Sequence, residues 1–107
     1  MSTGANEALL RVSGFQWDDG NWPKCGKHGL ERDEIESMFR LYPAVHPDPA
    51  HSSSETRMLA IGQGRAGRWI LAAFTLRQHE GRTYVRPISA RYMHAREVAH
   101  YVQQRGA

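Results

Sequence analysis

The sequence predicts an α+β domain: a twisted antiparallel β-sheet with two helices in the N-terminal half and one at the C-terminus. Three observations carry that expectation. Apolar residues recur at helical spacing at Ile35, Met38, Phe39 and Tyr42, and again at Ala95, Val98, Ala99 and Val102. Between these segments lie three strand-like runs in close order, joined by glycine-bearing turns. Helices and strands are therefore grouped rather than alternating, which favours α+β over a parallel α/β sheet. A chain of 107 residues can bury one modest core, so residues 1–107 are read as one domain.

Residues 1–7 are small and polar and are expected to be disordered. Leu9 to Phe15 alternates apolar with polar and reads as a first strand, weakened at its end by Gly14. The turn-rich W-D-D-G-N-W-P leads to a short helix, with Pro23 suited to its first turn and Gly29 to its stop. In the next helix Ile35, Met38, Phe39 and Tyr42 face inward, with Glu34, Glu36 and Arg40 opposite. The start of this helix is open by two residues, with Asp33 a good N-cap and Glu36 placed to reach back to it. Pro43 ends this helix, and A-V-H runs into the loop P-D-P-A-H-S-S-S-E.

Strands are expected at Arg57 to Gly62, Trp69 to Thr75 and Thr83 to Ala90, with turns at Q-G-R-A-G-R and Q-H-E-G. The run W-I-L-A-A-F-T is apolar at consecutive positions, which places it mid-sheet with both faces covered. Pro87 cannot donate to a ladder, so its strand lies at an edge or is bulged there, and either case leaves open which of Arg86, Ser89 and Arg91 share a face. A last helix spans His94 to Gln104.

Composition narrows the function classes. No apolar run approaches the roughly 20 residues of a membrane span, and the N-terminus has neither the basic start nor the apolar stretch of a secretory signal. A lone cysteine, Cys25, fits a reducing compartment, so the cytoplasm is the expected location. The net charge of +3 conceals an asymmetry. Residues 1–60 hold six Lys/Arg against nine Asp/Glu, whereas residues 61–107 hold eight against two, all eight being arginine. Arginine binds phosphate with a planar fork and stacks on bases, which points to a polyanionic partner; the competing reading is a solvated basic face.

Trp17 and Trp69 are expected to fill the core, and Trp22, in the turn, is the better candidate for stacking on a base. Six histidines raise the question of zinc, yet no H-x-x-x-H or C-x-x-C spacing occurs, and no metal or cofactor is expected. Ser89 has no evident relay partners and is not expected to be a nucleophile.

From Phe15 onward the chain resembles the BrnT toxin family. The resemblance is carried by F-x-W-D (Phe15, Trp17, Asp18), K-H-G (Lys27 to Gly29), and the acidic helix ending in Met38 and Phe39. It continues through E-x-R (Glu55, Arg57), I-G (Ile61, Gly62), G-R (Gly67, Arg68), F-T-x-R (Phe74, Thr75, Arg77) and S-A-R-x-M from Ser89, with Glu97 and Tyr101 behind. Each fragment is common by itself; their shared order over about residues 9–104 makes the signal. The chain departs from the family pattern by being one residue shorter between Trp17 and His28, with Asn21 and Lys24 near the places of the family's lysine and asparagine.

The resemblance implies a RelE-like fold and a metal-independent ribonuclease that blocks translation. It also implies a BrnA-like antitoxin of the ribbon-helix-helix type, through which the complex contacts operator DNA. The alternative is a non-catalytic RNA- or protein-binding module on the same fold. Metal-free RNA cleavage needs a proton acceptor and donor and cations for the charge that builds on phosphorus. On that basis Lys27, His28, Arg77 and Arg91 are the expected catalytic residues, with Lys24, Arg65, Arg68, Arg86 and Trp22 contacting RNA. His28 has a second reading, as a cap for carbonyls of its own turn. Arg65 and Arg68, in a hairpin turn, also suit a solvated or antitoxin-facing role.

Overall fold

The computed structural model describes residues 11–51 and 55–106. Its strands are β1 (Gly14–Phe15), β2 (Ala44–Pro47), β3 (Met58–Gln63), β4 (Trp69–His79) and β5 (Arg82–Tyr92), and its helices α1 (Arg32–Arg40) and α2 (Ala95–Gly106). The strands form one sheet in the order β1-β5-β4-β3-β2. β4 takes the central place that its unbroken apolar run requires. The sheet is mixed rather than wholly antiparallel, because β1 pairs parallel with β5, Gly14 against Tyr84 and Phe15 against Val85. A long excursion through α1 separates those strands, so no hairpin imposes opposite directions. The expected start of the first strand at Leu9 and the disorder expected for residues 1–7 lie outside the described residues.

The first expected helix, Pro23 to Gly29, is instead a single 3-10 turn at Lys24–Gly26. Gly26 lies flat under Trp22, where a Cβ would come within 2.7 Å of the indole ring. Gly29, at φ +95°, ends the segment in a left-handed conformation. Among the described residues, only one α-helix therefore lies in the N-terminal half. That helix, α1, starts earlier than Asp33 would set it, with Glu31 as N-cap and no side-chain cap. Asp33 falls inside the first turn, and Glu36 accepts a hydrogen bond from Trp17 Nε1 at 2.8 Å rather than reaching back to a cap.

Ile35, Met38 and Phe39 are buried as their spacing predicts, but Tyr42 is 78% exposed. A residue before proline is disfavoured in the helical region, and ahead of Pro43 Tyr42 takes φ +58°, which turns it outward. A-V-H, for which the sequence predicts no element, forms edge strand β2 against β3, with Pro43 before it and Pro47 at its end, as suits an edge. β4 and β5 run 11 residues each, longer than their apolar runs. Glu80 and Gly81, both at positive φ, make a two-residue turn that keeps polar Gln78 and Thr83 in register.

One face of the sheet builds the core. Met58, Ala60, Ile70, Ala72, Phe74, Val85 and Ala90 pack with Ile35, Met38 and Phe39 of α1 and with Cys25 and Leu30. Phe39 meets Phe74 edge-on at 5.0 Å and Phe15 at 5.9 Å. Burial also pushes the Cys25 thiol up, away from its reactive thiolate form.

The helix α2 behaves differently. No residue from 95 to 105 is buried, and the helix touches the sheet only slightly. Its apolar row at Ala95, Val98, Ala99 and Val102 stays largely open to solvent. Side chains moor it instead: Trp69 meets Tyr101 edge-on at 5.6 Å, and the Arg105 guanidinium lies 5.4 Å from the Trp69 ring. Trp69 is thus a mooring point rather than the core filler expected of it.

Candidate functional site

The register of β4 and β5 decides which arginines meet. Ala73 pairs with Ser89 and Phe74 with Pro87, so Ile88 is an extra, bulged residue. The strand is bulged at Pro87, and the question of faces closes: Arg86 stands opposite Thr75, Ser89 opposite Ala73 and Arg91 opposite Leu71. Cross-strand partners share a face, so Arg77, Arg86, Ser89 and Arg91 all lie on the side of the sheet away from α1. Among the described residues no helix packs broadly on this side.

Each of the three arginines holds a carboxylate. Arg77 grips Glu55 through Nε and Nη2, the latter at 3.0 Å from Oε1. Arg86 reaches Asp18 at 2.8 and 3.0 Å, and Gln16 Oε1 at 3.1 Å. Arg91 binds Glu97 through two 2.8 Å bonds. Between Arg77 and the small residues Ala73 and Ser89 lies Thr75, only 2% exposed. Its hydroxyl oxygen is buried with no hydrogen-bond partner among the described residues.

Two of these carboxylates are also structural. Asp18 Oδ1 accepts the Gly20 amide at 2.8 Å, and the Arg86 hydrogen bond, more than that amide, holds its carboxyl below the ordinary range. Beside it Asn21, 2% exposed, accepts the Asp18 amide and donates to the carbonyls of Gln16 and Pro87 at 2.9 Å. Asn21 thereby occupies the edge of β5 where β1 has ended. Glu97 sits three residues after His94 and accepts its backbone amide at 2.9 Å, the reach-back half of a capping box.

Hydrogen bonds from Arg91, and then from the His94 amide, lower Glu97 from 4.5 to about 2. A carboxyl depressed on folding stabilises the fold above its unfolded pKa and loses that contribution as pH falls through the folded value. The mooring of α2 is therefore expected to weaken between pH 4.5 and about 2. Amide exchange of residues 95–105 should accelerate in that window in the native protein. In Glu97→Gln it should be fast at neutral pH already; equal exchange in both proteins at pH 7 would remove Glu97 as the anchor.

The structure sets Arg77, Arg86 and Arg91 along one sheet face, but not Lys24, Lys27 and His28. Those three are exposed on and just after the 3-10 turn whose Cys25 enters the core on the opposite side of the sheet. No hydrogen bond or ion pair among the described residues joins them to the arginines. The His28 ring makes no hydrogen bond there either, so it caps no carbonyl of its turn. Arg65 extends into solvent, 3.7 Å from Asp33, and Arg68 lies over the Tyr92 ring at 3.4 Å. Trp22 is half-buried against Trp17 and Arg32, which leaves it little free face for stacking.

Sequence reasoning missed the partners: Glu55, Asp18, Glu97, Asn21 and Thr75. The fragments E-x-R, F-x-W-D and F-T-x-R contain three of them, Glu55, Asp18 and Thr75, without stating what each touches. No described helix is long and apolar enough to cross a membrane. A family model described as ribonuclease toxin, BrnT, of type II toxin-antitoxin system matches residues 17–97, a stretch that includes all three arginines and their carboxylates. The chain matches no curated protein sequence.

Proposed function

From the premise that the chain belongs to the BrnT family of ribonuclease toxins, we propose that it cleaves RNA without a metal ion, on a RelE-like fold, and thereby blocks translation. A BrnA-like antitoxin of the ribbon-helix-helix kind holds it inactive and carries the pair to operator DNA. The observation that carries this reading is the convergence of Arg77, Arg86 and Arg91 on one sheet face. Three guanidiniums spaced along two strands suit the phosphates of an extended strand of RNA, and the charge on a reacting phosphorus. Their carboxylates keep the face closed to weaker anions until phosphate competes for the forks.

In this reading Arg77 meets the reacting phosphate, Arg86, opposite Thr75, lies beside it, and Arg91, opposite Leu71, holds a phosphate further along the strand. Lys24, Lys27 and His28 grip RNA further along, past the edge of β5 on which their turn packs. Arg65 and Arg68, at the β3–β4 turn, are left for the antitoxin or for flanking nucleotides.

Expression of the chain alone is expected to arrest growth, and the purified protein to fragment RNA in the presence of a chelator. Co-expression with the antitoxin should restore growth. Intact RNA together with salt-sensitive binding would replace this reading with that of a non-catalytic binding module.

A further inference from the structure

We propose that Glu55 is the general base of the cleavage reaction, paired with Arg77 and served by a phosphate seat at Thr75. The inference rests on the ribonuclease reading and names the residue that starts the reaction. Without a metal, the 2′-hydroxyl of the RNA must lose its proton beside the same phosphate that a cation is gripping, so base and cation must be neighbours.

Of the three carboxylates on the arginine face, two have other duties. Asp18 fastens the turn through the Gly20 amide, and Glu97 caps α2 through the His94 amide. Glu55 bonds, among the described residues, to Arg77 alone, and its side chain is 38% exposed. It stands just ahead of β3, across from Arg77, with Tyr84 next on β5. Arg57 lies two residues further along its own segment, bonded to Asp48 at 3.4 Å. Glu55 is thus an accessible carboxylate among cations.

Thr75 supplies the independent observation. It lies two residues from Arg77 on the same face, with its hydroxyl buried and lacking a partner. A phosphate oxygen arriving between Arg77 and Thr75 would give that hydroxyl an acceptor. The same arrival draws the Arg77 fork from carboxylate to phosphate, which frees Glu55 to accept a proton only when substrate is seated.

The step then balances. Glu55 takes the 2′-hydroxyl proton, the 2′-oxygen bonds to phosphorus, and the bond from phosphorus to the 5′-oxygen breaks. The leaving oxygen takes a proton from water, and the proton on Glu55 passes to the hydroxide so formed. The products are a 2′,3′-cyclic phosphate and a 5′-hydroxyl.

The test is Glu55→Gln in the full chain, which keeps an oxygen for Arg77 and so preserves the structural contact. Cleavage is expected to fall by about 10²–10⁴-fold with an unchanged Tm, and the acidic limb of the pH–rate profile to disappear. Glu55→Asp, which keeps the charge on a shorter arm, should retain an intermediate rate and the limb. A wild-type chain that leaves RNA intact overturns both this assignment and the ribonuclease reading. A wild-type chain that cleaves, beside a Glu55→Gln variant within about threefold of it and with the same pH profile, overturns the base assignment alone.

Discussion

Replacing Arg77 with alanine is expected to slow RNA cleavage by about 10²–10³-fold while lowering Tm by no more than a few degrees. The large effect follows from losing a positioned donor to charge that develops on phosphorus, where single donors are commonly worth that factor. The small effect follows from exposure. The Arg77 side chain is 41% accessible, and an ion pair so open to water contributes little to the fold. Lysine at this position restores the charge but not the fork that can bond Glu55 and then two phosphate oxygens, so Arg77→Lys should recover at most about tenfold of the loss. Single-turnover cleavage of a labelled RNA, read beside a thermal melt, separates the two effects. An alanine variant with full activity would move the chemistry off this face.

Asn21→Ala is expected to do the reverse, damaging the fold first. Its amide makes three hydrogen bonds in a nearly dry place, from the Asp18 amide and to the carbonyls of Gln16 and Pro87. Truncation leaves the Pro87 carbonyl buried beside the bulge without a partner. At about 1–3 kcal/mol for a stranded buried group, the total comes to about 3 kcal/mol. For a domain of this size that is a fall in Tm of roughly 12–20 °C. Asn21→Asp should be nearly as harmful, since it keeps the acceptor but loses both donated bonds and buries a charge. A melt within about 3 °C of the native protein would show that water can enter and satisfy these carbonyls.

The parts of the molecule governed by periodicity were legible in the sequence. Ile35, Met38 and Phe39 declared a helix face, and the run from Trp69 declared a central strand. Where several groups compete for one place, local pattern was a poor guide. A glycine such as Gly26 disfavours a helix, but only the Trp22 ring lying on it explains why the segment stops at one 3-10 turn. Tyr42 continued the apolar spacing, yet the proline after it turned the backbone away. β2 is four residues bounded by prolines, too short to show alternation.

At the candidate site the arginines were visible because charge is visible in composition. Their partners were not, since Glu55 is 22 residues from Arg77 and Asp18 is 68 from Arg86. The pairing of distant residues across a sheet is a property of register. What groups His28 with Arg91 in the sequence is the chemistry that RNA cleavage needs, and among the described residues no hydrogen bond or ion pair joins them.

The bulged Ile88 also sets how the chain must be counted. Ahead of it on β5 the even positions, Tyr84 and Arg86, face the arginine side, and behind it the odd ones, Ser89 and Arg91, do. The extra residue is a half-period phase shift written into the strand. Deleting it would keep every face as it is, with Ser89 still opposite Ala73 and Arg91 opposite Leu71, and would change only the parity of the numbering behind it. Relatives compared with this chain are therefore equivalent here only when the insertion is matched before the arginines are.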